Sequence, residues 1–152
     1  MKNIELIDVT KEFLAKASPG KGSIEYEEGF NFKYSHEEKM TAFWLLETFG
    51  GHIILLKQNG GYMIKNPDYK WNDKFWELKG VSTRNSLDLA IKKALKQITE
   101  KPGGIIVEAK GLKCNTTTIY GVLKNRIMYA SIKNYYVIVK KEKKLLNIYL
   151  SK

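Results

Sequence analysis

The middle of the chain contains the stretch that decides the fold: residues 66–80 read NPDYKWNDKFWELKG. Within it, residues 74–79 alternate between charged or aromatic and apolar side chains, the pattern of a half-buried strand. Side chains two positions apart on a strand emerge on the same face, so Glu77 and Lys79 are predicted to share one face. The preceding WNDK step is typical of a hairpin turn, and Asp73 is therefore expected to have a turn role.

Working outward, hydrophobic periodicity and turn residues predict alternating helices and strands on both sides of this stretch. Helices are expected over residues 4–16, from Ser35 to Phe49 with Glu38 completing a capping box, from Asn85 or Ser86 to before Pro102-Gly103-Gly104, and from Asn115 to about Met128. Extended segments are expected at 24–32, 52–56, 62–64 after a turn at 59–61, 74–79, 105–107, 135–139 and 145–150. This order predicts one α/β domain with a central mixed sheet flanked by helices.

Composition places the chain among ordinary globular proteins, with 152 residues, 43% of them hydrophobic and 28% charged. No apolar run approaches the roughly 20 residues that span a bilayer, so no membrane association is expected. The N-terminus lacks the apolar region of a signal peptide, and Cys114 has no second cysteine for an intramolecular disulfide. A reducing location, the cytoplasm of a producing or target cell, is expected.

The positive charge is concentrated near the C-terminus. The formal net charge is +10, and residues 110–152 hold ten Lys or Arg against one acidic residue, Glu142. A basic surface favours a polyanion, because each neutralised phosphate releases counterions. Nucleic acid is therefore the expected partner, with Lys124 and Arg126 of this segment as candidate contacts.

Asp68, Glu77 and Lys79 form the pattern that carries chemistry. Two carboxylates supply hard oxygen ligands of the kind that Mg²⁺ or Mn²⁺ accepts, and such a metal polarises a phosphate and lowers the pKa of a bound water. A lysine beside them orients or helps to deprotonate the attacking water, or stabilises the growing negative charge. The alternative is that Glu77 and Lys79 are only the solvated face of an amphipathic strand.

Residues from Ser35 to about Val107 combine several short motifs. They are His36-Glu37 opening a helix that runs through Trp44-Leu45 to Phe49-Gly50-Gly51, the Pro67-Asp68 step, Trp76-Glu77-Leu78-Lys79, and a later helix with Lys93, Ala94 and Gln97. This combination resembles the PD-(D/E)xK phosphodiesterase superfamily, which includes many restriction-type nucleases. More narrowly, it is similar to the C-terminal tRNase domains of contact-dependent growth-inhibition toxins and to related phage and mobile-element domains.

The resemblance implies a restriction-endonuclease-like domain over residues 1–152, with 1–34 as an N-terminal extension, 35–109 as the catalytic core and 110–152 as a basic part. It points to Glu37 as a further carboxylate of the metal site, with Glu38 as the alternative. It also implies that Gln97 or Lys93 lies near the scissile phosphate.

Arg84 lies between the strand of Glu77 and the start of a helix, where its guanidinium can hold phosphate oxygens. A role as part of a solvated connection is equally compatible with the sequence.

The function expected from these observations is a metal-dependent endonuclease that hydrolyses phosphodiester bonds. The resemblance favours tRNA as substrate and implies a cognate immunity protein. The alternatives are a DNase of restriction or repair type with the same site, and a non-catalytic nucleic-acid-binding protein of a mobile element.

Overall fold

One mixed sheet organises the fold, as seen in a computed structural model that describes residues 4–33, 35–58, 66–130 and 132–152. The elements in chain order are β1 (Leu6–Asp8), α1 (Thr10–Ala15), β2 (Gly22–Tyr26), α2 (His36–Thr48), β3 (Gly51–Leu55), β4 (Tyr69–Trp71), β5 (Lys74–Gly80), α3 (Arg84–Gln97), β6 (Pro102–Glu108), α4 (Thr116–Ile127), β7 (Tyr135–Lys141) and β8 (Lys144–Ser151). The strands of the described residues lie in the order β1-β8-β7-β6-β5-β4-β3-β2.

The centre of the sheet is parallel, since β5 pairs with β6 and β6 with β7 in that sense. β2 and β3 are also parallel, and the remaining neighbours are antiparallel. Parallel strands need crossover connections, and α3 and α4 supply them. The predicted single α/β domain with a central mixed sheet and flanking helices is confirmed.

Helices cover both faces of the sheet, so the central strands are apolar in both directions. Ile105 and Val107 of β6 pack in one core with residues of α3 and α4, and Ile106 packs in a second core with residues of α2. Trp76 and Leu78 belong to the α2 core, whereas Phe75 packs against the α3 core. The predicted alternation along β5 is therefore confirmed.

The N-terminal segment differs from its prediction as a helix over residues 4–16. Leu6 begins a strand that pairs with Ser151 of β8, and the helix starts only at Thr10. The Asp8 carboxylate accepts a hydrogen bond from the Thr10 backbone N–H, at 3.0 Å. Residues 6–8 pair with the edge of β8, although the spacing of the apolar residues in this segment is also compatible with a helix. Among the strands that the structure describes, β1 and β2 lie at the two edges of the sheet.

The N-terminus of α2 lies where the sequence predicts it, but the prediction of a capping box is wrong. The Ser35 side chain makes no capping bond and instead donates to the Asn31 carbonyl oxygen, at 2.6 Å. Glu38 is therefore free of the structural role that the capping box assigned to it. The helix stops before Gly50, where φ is +76° and an added Cβ would lie 2.0 Å from the Ser18 carbonyl oxygen.

The hairpin between β4 and β5 turns at Asn72 and Asp73, whose φ angles are +49° and +68°. Such angles suit Asn and Asp better than most other residues. Asp73 also forms ion pairs with Lys70 at 3.2 Å and Lys101 at 3.5 Å. The predicted turn role of Asp73 is confirmed.

The helix after β5 begins earlier than predicted, because Thr83 rather than Asn85 or Ser86 is the N-cap. The Thr83 hydroxyl accepts from the Ser86 N–H, and the Ser86 hydroxyl accepts from the Thr83 N–H. The helix predicted after Asn115 is present as α4, and the Asn115 side chain caps it by accepting the Thr118 N–H. Pro102-Gly103-Gly104 begin β6 rather than forming a separate break.

The predicted turn at 59–61 and strand at 62–64 lie outside the described residues. Among the helices that are described, none has the length and apolar character needed to cross a bilayer.

Candidate active site

The β4–β5 hairpin brings together two carboxylates that are nine positions apart in the sequence. Asp68 immediately precedes β4 and lies beside Glu77 of β5, and both residues are buried, with 9% and 4% of their surface exposed. The Asp68 backbone N–H donates to Glu77 Oε1 at 3.0 Å, and the Leu78 N–H donates to Asp68 Oδ2 at 2.8 Å. Backbone hydrogen bonds therefore hold each carboxylate in position.

Lys79 completes this cluster from the same face of β5. Its Nζ lies 3.4 Å from Glu77 Oε2, and its side chain is 24% exposed against 5% for Glu77. The ammonium group thus reaches from the buried carboxylates toward solvent.

The third carboxyl group near this cluster belongs to Glu38 of α2. The Tyr69 hydroxyl, fully buried, donates to the Glu38 carbonyl oxygen at 2.6 Å and ties α2 to β4. Glu38 Oε2 is buried and has no hydrogen-bond partner among the described residues. The sequence pattern assigns Tyr69 no role at this place. Its signal in the sequence is its position directly after Asp68, because neighbouring residues of a strand point to opposite faces. Tyr69 therefore packs in the apolar core that contains residues of α2.

Glu37 lies elsewhere on α2, with an exposed side chain. It lines a groove that also contains Glu108 and Lys140, on the side of α2 where Met40 and Trp44 lie. Adjacent residues of a helix point about 100° apart. The structure therefore brings together Asp68, Glu77 and Lys79, with Glu38 near Asp68, and it does not bring Glu37 to them.

The electrostatics of the cluster disfavour a full set of negative charges. Burial and the neighbouring Glu77 raise the pKa of Asp68 well above its usual range. Burial, and then the charge of Asp68, raise the pKa of Glu38 to about 7. Burial and nearby carboxylates also raise the pKa of the Tyr69 hydroxyl. A cation at this place would relieve the repulsion among these groups.

The donor set has the chemistry of a Mg²⁺ or Mn²⁺ site, since carboxylate oxygens are the ligands these ions prefer. The fit rests on two neighbouring buried carboxylates, Asp68 and Glu77, and on the unpartnered oxygen of Glu38. Within the described ranges, no three His, Cys, Asp or Glu side chains stand close enough to hold a metal on their own. A bound ion would therefore complete its shell with water or substrate oxygens, as Mg²⁺ commonly does.

The remaining candidate residues fall in two further places. Gln97 lines a cavity of about 540 Å³ beside Pro67, and its Oε1 is buried with no hydrogen-bond partner among the described residues. Lys93, one turn earlier on α3, is exposed. Of the pair that the resemblance implied, Gln97 is the one shown next to the Pro67-Asp68 step.

Arg84, Lys124 and Arg126 lie together in a groove between α3 and α4. Arg126 is held by Asp88 through two hydrogen bonds, of 2.8 and 2.5 Å. These three basic residues thus form a surface separate from the carboxylate cluster.

Replacing Glu38 with Gln is expected to stabilise the chain above pH 7. Because the pKa of Glu38 is near 7 in the folded chain and lower in the unfolded chain, its contribution to stability falls as the pH rises from about 4.5 to about 7. A glutamine side chain at this position has no such loss, so we expect a gain of about 1 to 3 kcal/mol at pH 8 and none at pH 4. Urea unfolding with EDTA at both pH values measures it.

The matched control is Glu37→Gln, on the same helix but exposed, with an expected change within about 0.5 kcal/mol at either pH. Equal effects of the two substitutions would contradict the placement of Glu38.

No protein-family model and no curated protein sequence matches this chain. Among solved structures, a chain of a CdiA-CT/CdiI toxin and immunity complex from Burkholderia pseudomallei has a similar fold, with a TM-score of 0.51 and 16% sequence identity. The match covers 82% of this chain and 98% of that chain. At this level of identity, the likeness establishes the fold alone.

Proposed function

We propose that this chain is a metal-dependent nuclease whose active site consists of Asp68, Glu77, Lys79 and Glu38. The observation that carries the proposal is the buried pair of Asp68 and Glu77 with the Lys79 ammonium 3.4 Å from Glu77 Oε2. Burying two adjacent carboxylates costs stability, and the ammonium of Lys79 forms an ion pair with only one of them, Glu77. Such a cost is typical of functional sites.

Each side chain has a role that follows from its position. Asp68 and Glu77 present oxygens to a divalent cation, and the unpartnered oxygen of Glu38 adds a further negative charge. Mg²⁺ or Mn²⁺, when bound, polarises the scissile phosphate and lowers the pKa of a water. Lys79 is placed to orient that water or to stabilise the negative charge that develops on the phosphate oxygens.

RNA, and tRNA in particular, is the substrate we favour. The support is the motif resemblance to tRNase domains of contact-dependent growth-inhibition toxins, and a neighbour in fold that comes from a toxin and immunity complex. The net charge of +10 suits any nucleic acid. The same support leads us to propose a toxin that acts in the cytoplasm of a cell and has a cognate immunity protein.

Cleavage assays with the purified chain test this function. We expect bulk tRNA to be cut in the presence of Mg²⁺ or Mn²⁺, with double-stranded DNA cut more slowly, and no cleavage in EDTA. Preferential cleavage of DNA would assign the alternative DNase activity to the same site. Salt-sensitive binding of nucleic acid with no cleavage under either metal would contradict a nuclease and favour a non-catalytic binding protein.

A further inference from the structure

A groove of about 720 Å³ lies between α3 and α4, apart from the carboxylate cluster. Its lining includes Arg84, Asp88, Gly121, Lys124, Arg126 and Tyr129. Three of them are basic and one is acidic, so the groove has an excess of positive charge. A surface of this kind attracts anions.

The basic groups of the groove differ in how they are held. Arg126 is fixed by Asp88, and this contact raises the pKa of Arg126 and lowers that of Asp88. Arg84 and Lys124 are exposed. One guanidinium is therefore positioned in advance, while two other cations are free to follow a flexible polyanion.

An exposed aromatic side chain lines the groove. Tyr129 is 77% exposed and the neighbouring Met128 is 57% exposed, whereas Ile119, Leu123 and Ile127 bury the opposite side of α4. Neither Tyr129 nor Met128 is needed for the core. A tyrosine ring beside cations is the combination that binds unpaired nucleotides, because the ring stacks on a base while the cations contact the phosphates.

Gly121 keeps the middle of the groove open. It lies inside α4, where glycine is less favourable than alanine, and an added Cβ would meet nothing within 4 Å. Packing inside the chain therefore gives no reason for a glycine. Space for a ligand against the helix backbone gives a reason for the glycine.

The groove is also close to the proposed active site along the chain. Arg84 follows Lys79 by five residues, which limits their Cα separation to about 18 Å. This separation is short enough for one nucleic-acid strand to span.

From these observations, we propose that the groove between α3 and α4 binds an unpaired segment of the nucleic-acid substrate, with its phosphates on Arg84, Lys124 and Arg126 and a base stacked on Tyr129. This proposal rests on the proposed nuclease function and assigns the class of substrate: nucleic acid with unpaired nucleotides next to the cleaved bond. Paired bases are stacked on one another and leave no free face for Tyr129.

Binding measurements separate this proposal from the proposed activity. The probe is a fluorescent 12-nucleotide unpaired RNA, titrated by anisotropy in EDTA against the full chain with Asp68→Asn, in which we expect no cleavage. In this background, Tyr129→Ala and Lys124→Glu are each expected to weaken the Kd about 10-fold. The matched controls outside the groove are Tyr26→Ala, also an exposed tyrosine, and Lys144→Glu, with an expected change under about 2-fold.

Gly121→Leu tests the groove without removing a charge or an aromatic ring. Its Tm is expected to stay the same or rise, because leucine is the better helix former, while the Kd weakens about 10-fold. Equal losses for groove and control variants, or no loss for any groove variant, would overturn the proposal. If the groove variants show no specific loss but the unmodified chain cleaves tRNA, the groove proposal fails and the nuclease function stands. If the groove variants lose RNA binding as expected but the unmodified chain cleaves neither RNA nor DNA, the nuclease function fails and RNA binding by the groove stands.

Discussion

Replacing Asp68 with Asn is expected to remove phosphodiester cleavage and to make the folded chain more stable. Asn retains an oxygen that accepts the Leu78 N–H but has no charge to offer a cation. The loss of one ligand charge at such a site reduces the rate by about 10²- to 10³-fold or more. Single-turnover cleavage of tRNA with saturating Mg²⁺ measures this loss.

The expected gain in stability has the opposite sign for a physical reason. Because burial and Glu77 raise the pKa of Asp68 in the folded chain, Asp68 lowers stability at every pH above its ordinary pKa, and Asn does not. At pH 8 with EDTA, we expect the Tm to rise by about 3 to 6 °C, which corresponds to about 1 to 2 kcal/mol. A residue retained at the expense of stability is typical of an active site.

Asp73→Asn is the matched control, five residues away in the turn and with a side chain that is 74% exposed. Asn suits the positive φ at this position, so both the rate and the Tm should stay close to those of the unmodified chain. An Asp68→Asn variant that cleaves as fast as the Asp73→Asn variant would refute the assigned site.

Among the substitutions proposed for this chain, Glu108→Ala is expected to lower the free energy of unfolding most. Glu108 pairs with Lys140 Nζ at 2.5 Å, and the Lys140 side chain is only 5% exposed. Glu108 Oε2 also accepts the backbone N–H groups of Lys110 and Glu142. Alanine leaves a buried ammonium and two N–H groups without this acceptor, so we expect a loss of about 3 to 5 kcal/mol, measured by urea unfolding.

A double substitution tests whether the unpaired charge is the cause. Glu108→Gln with Lys140→Met removes both charges and keeps an acceptor for the two N–H groups, so most of the lost stability should return. The exposed pair of Lys101 and Asp73 is the control, and Lys101→Met should cost less than about 0.5 kcal/mol. If the double variant is no more stable than Glu108→Ala, loss of packing rather than the isolated charge explains the effect.

Much of the fold could be predicted because the deciding signals are local. The alternation along β5 placed Glu77 with Lys79 and Trp76 with Leu78, and the structure has the same two faces. The turn at Asn72 and Asp73 and the start of α4 after Asn115 depend on neighbouring residues alone. The error in the N-terminal segment arose because β1 exists only through its pairing with β8, a partner more than 130 residues away.

The charge pattern was only partly informative, because sequence counts every basic residue as a free cation. Lys140 and Arg126 belong to the basic C-terminal part, yet both are engaged by acidic residues of the preceding part, Glu108 and Asp88. What remains near α4 is a groove with exposed cations and an exposed tyrosine, which sequence alone does not bring together.

The sequence by itself determined a single α/β domain and a strand that presents Glu77 and Lys79 on one face, because side-chain direction along a strand follows from a two-residue repeat. Only the tertiary structure decided which carboxylate of α2 lies near Asp68. The rotation of a helix about its axis depends on what it packs against, and here Tyr69 holds the backbone of Glu38. Glu38 is thereby brought to Asp68, and Glu37 remains on the surface.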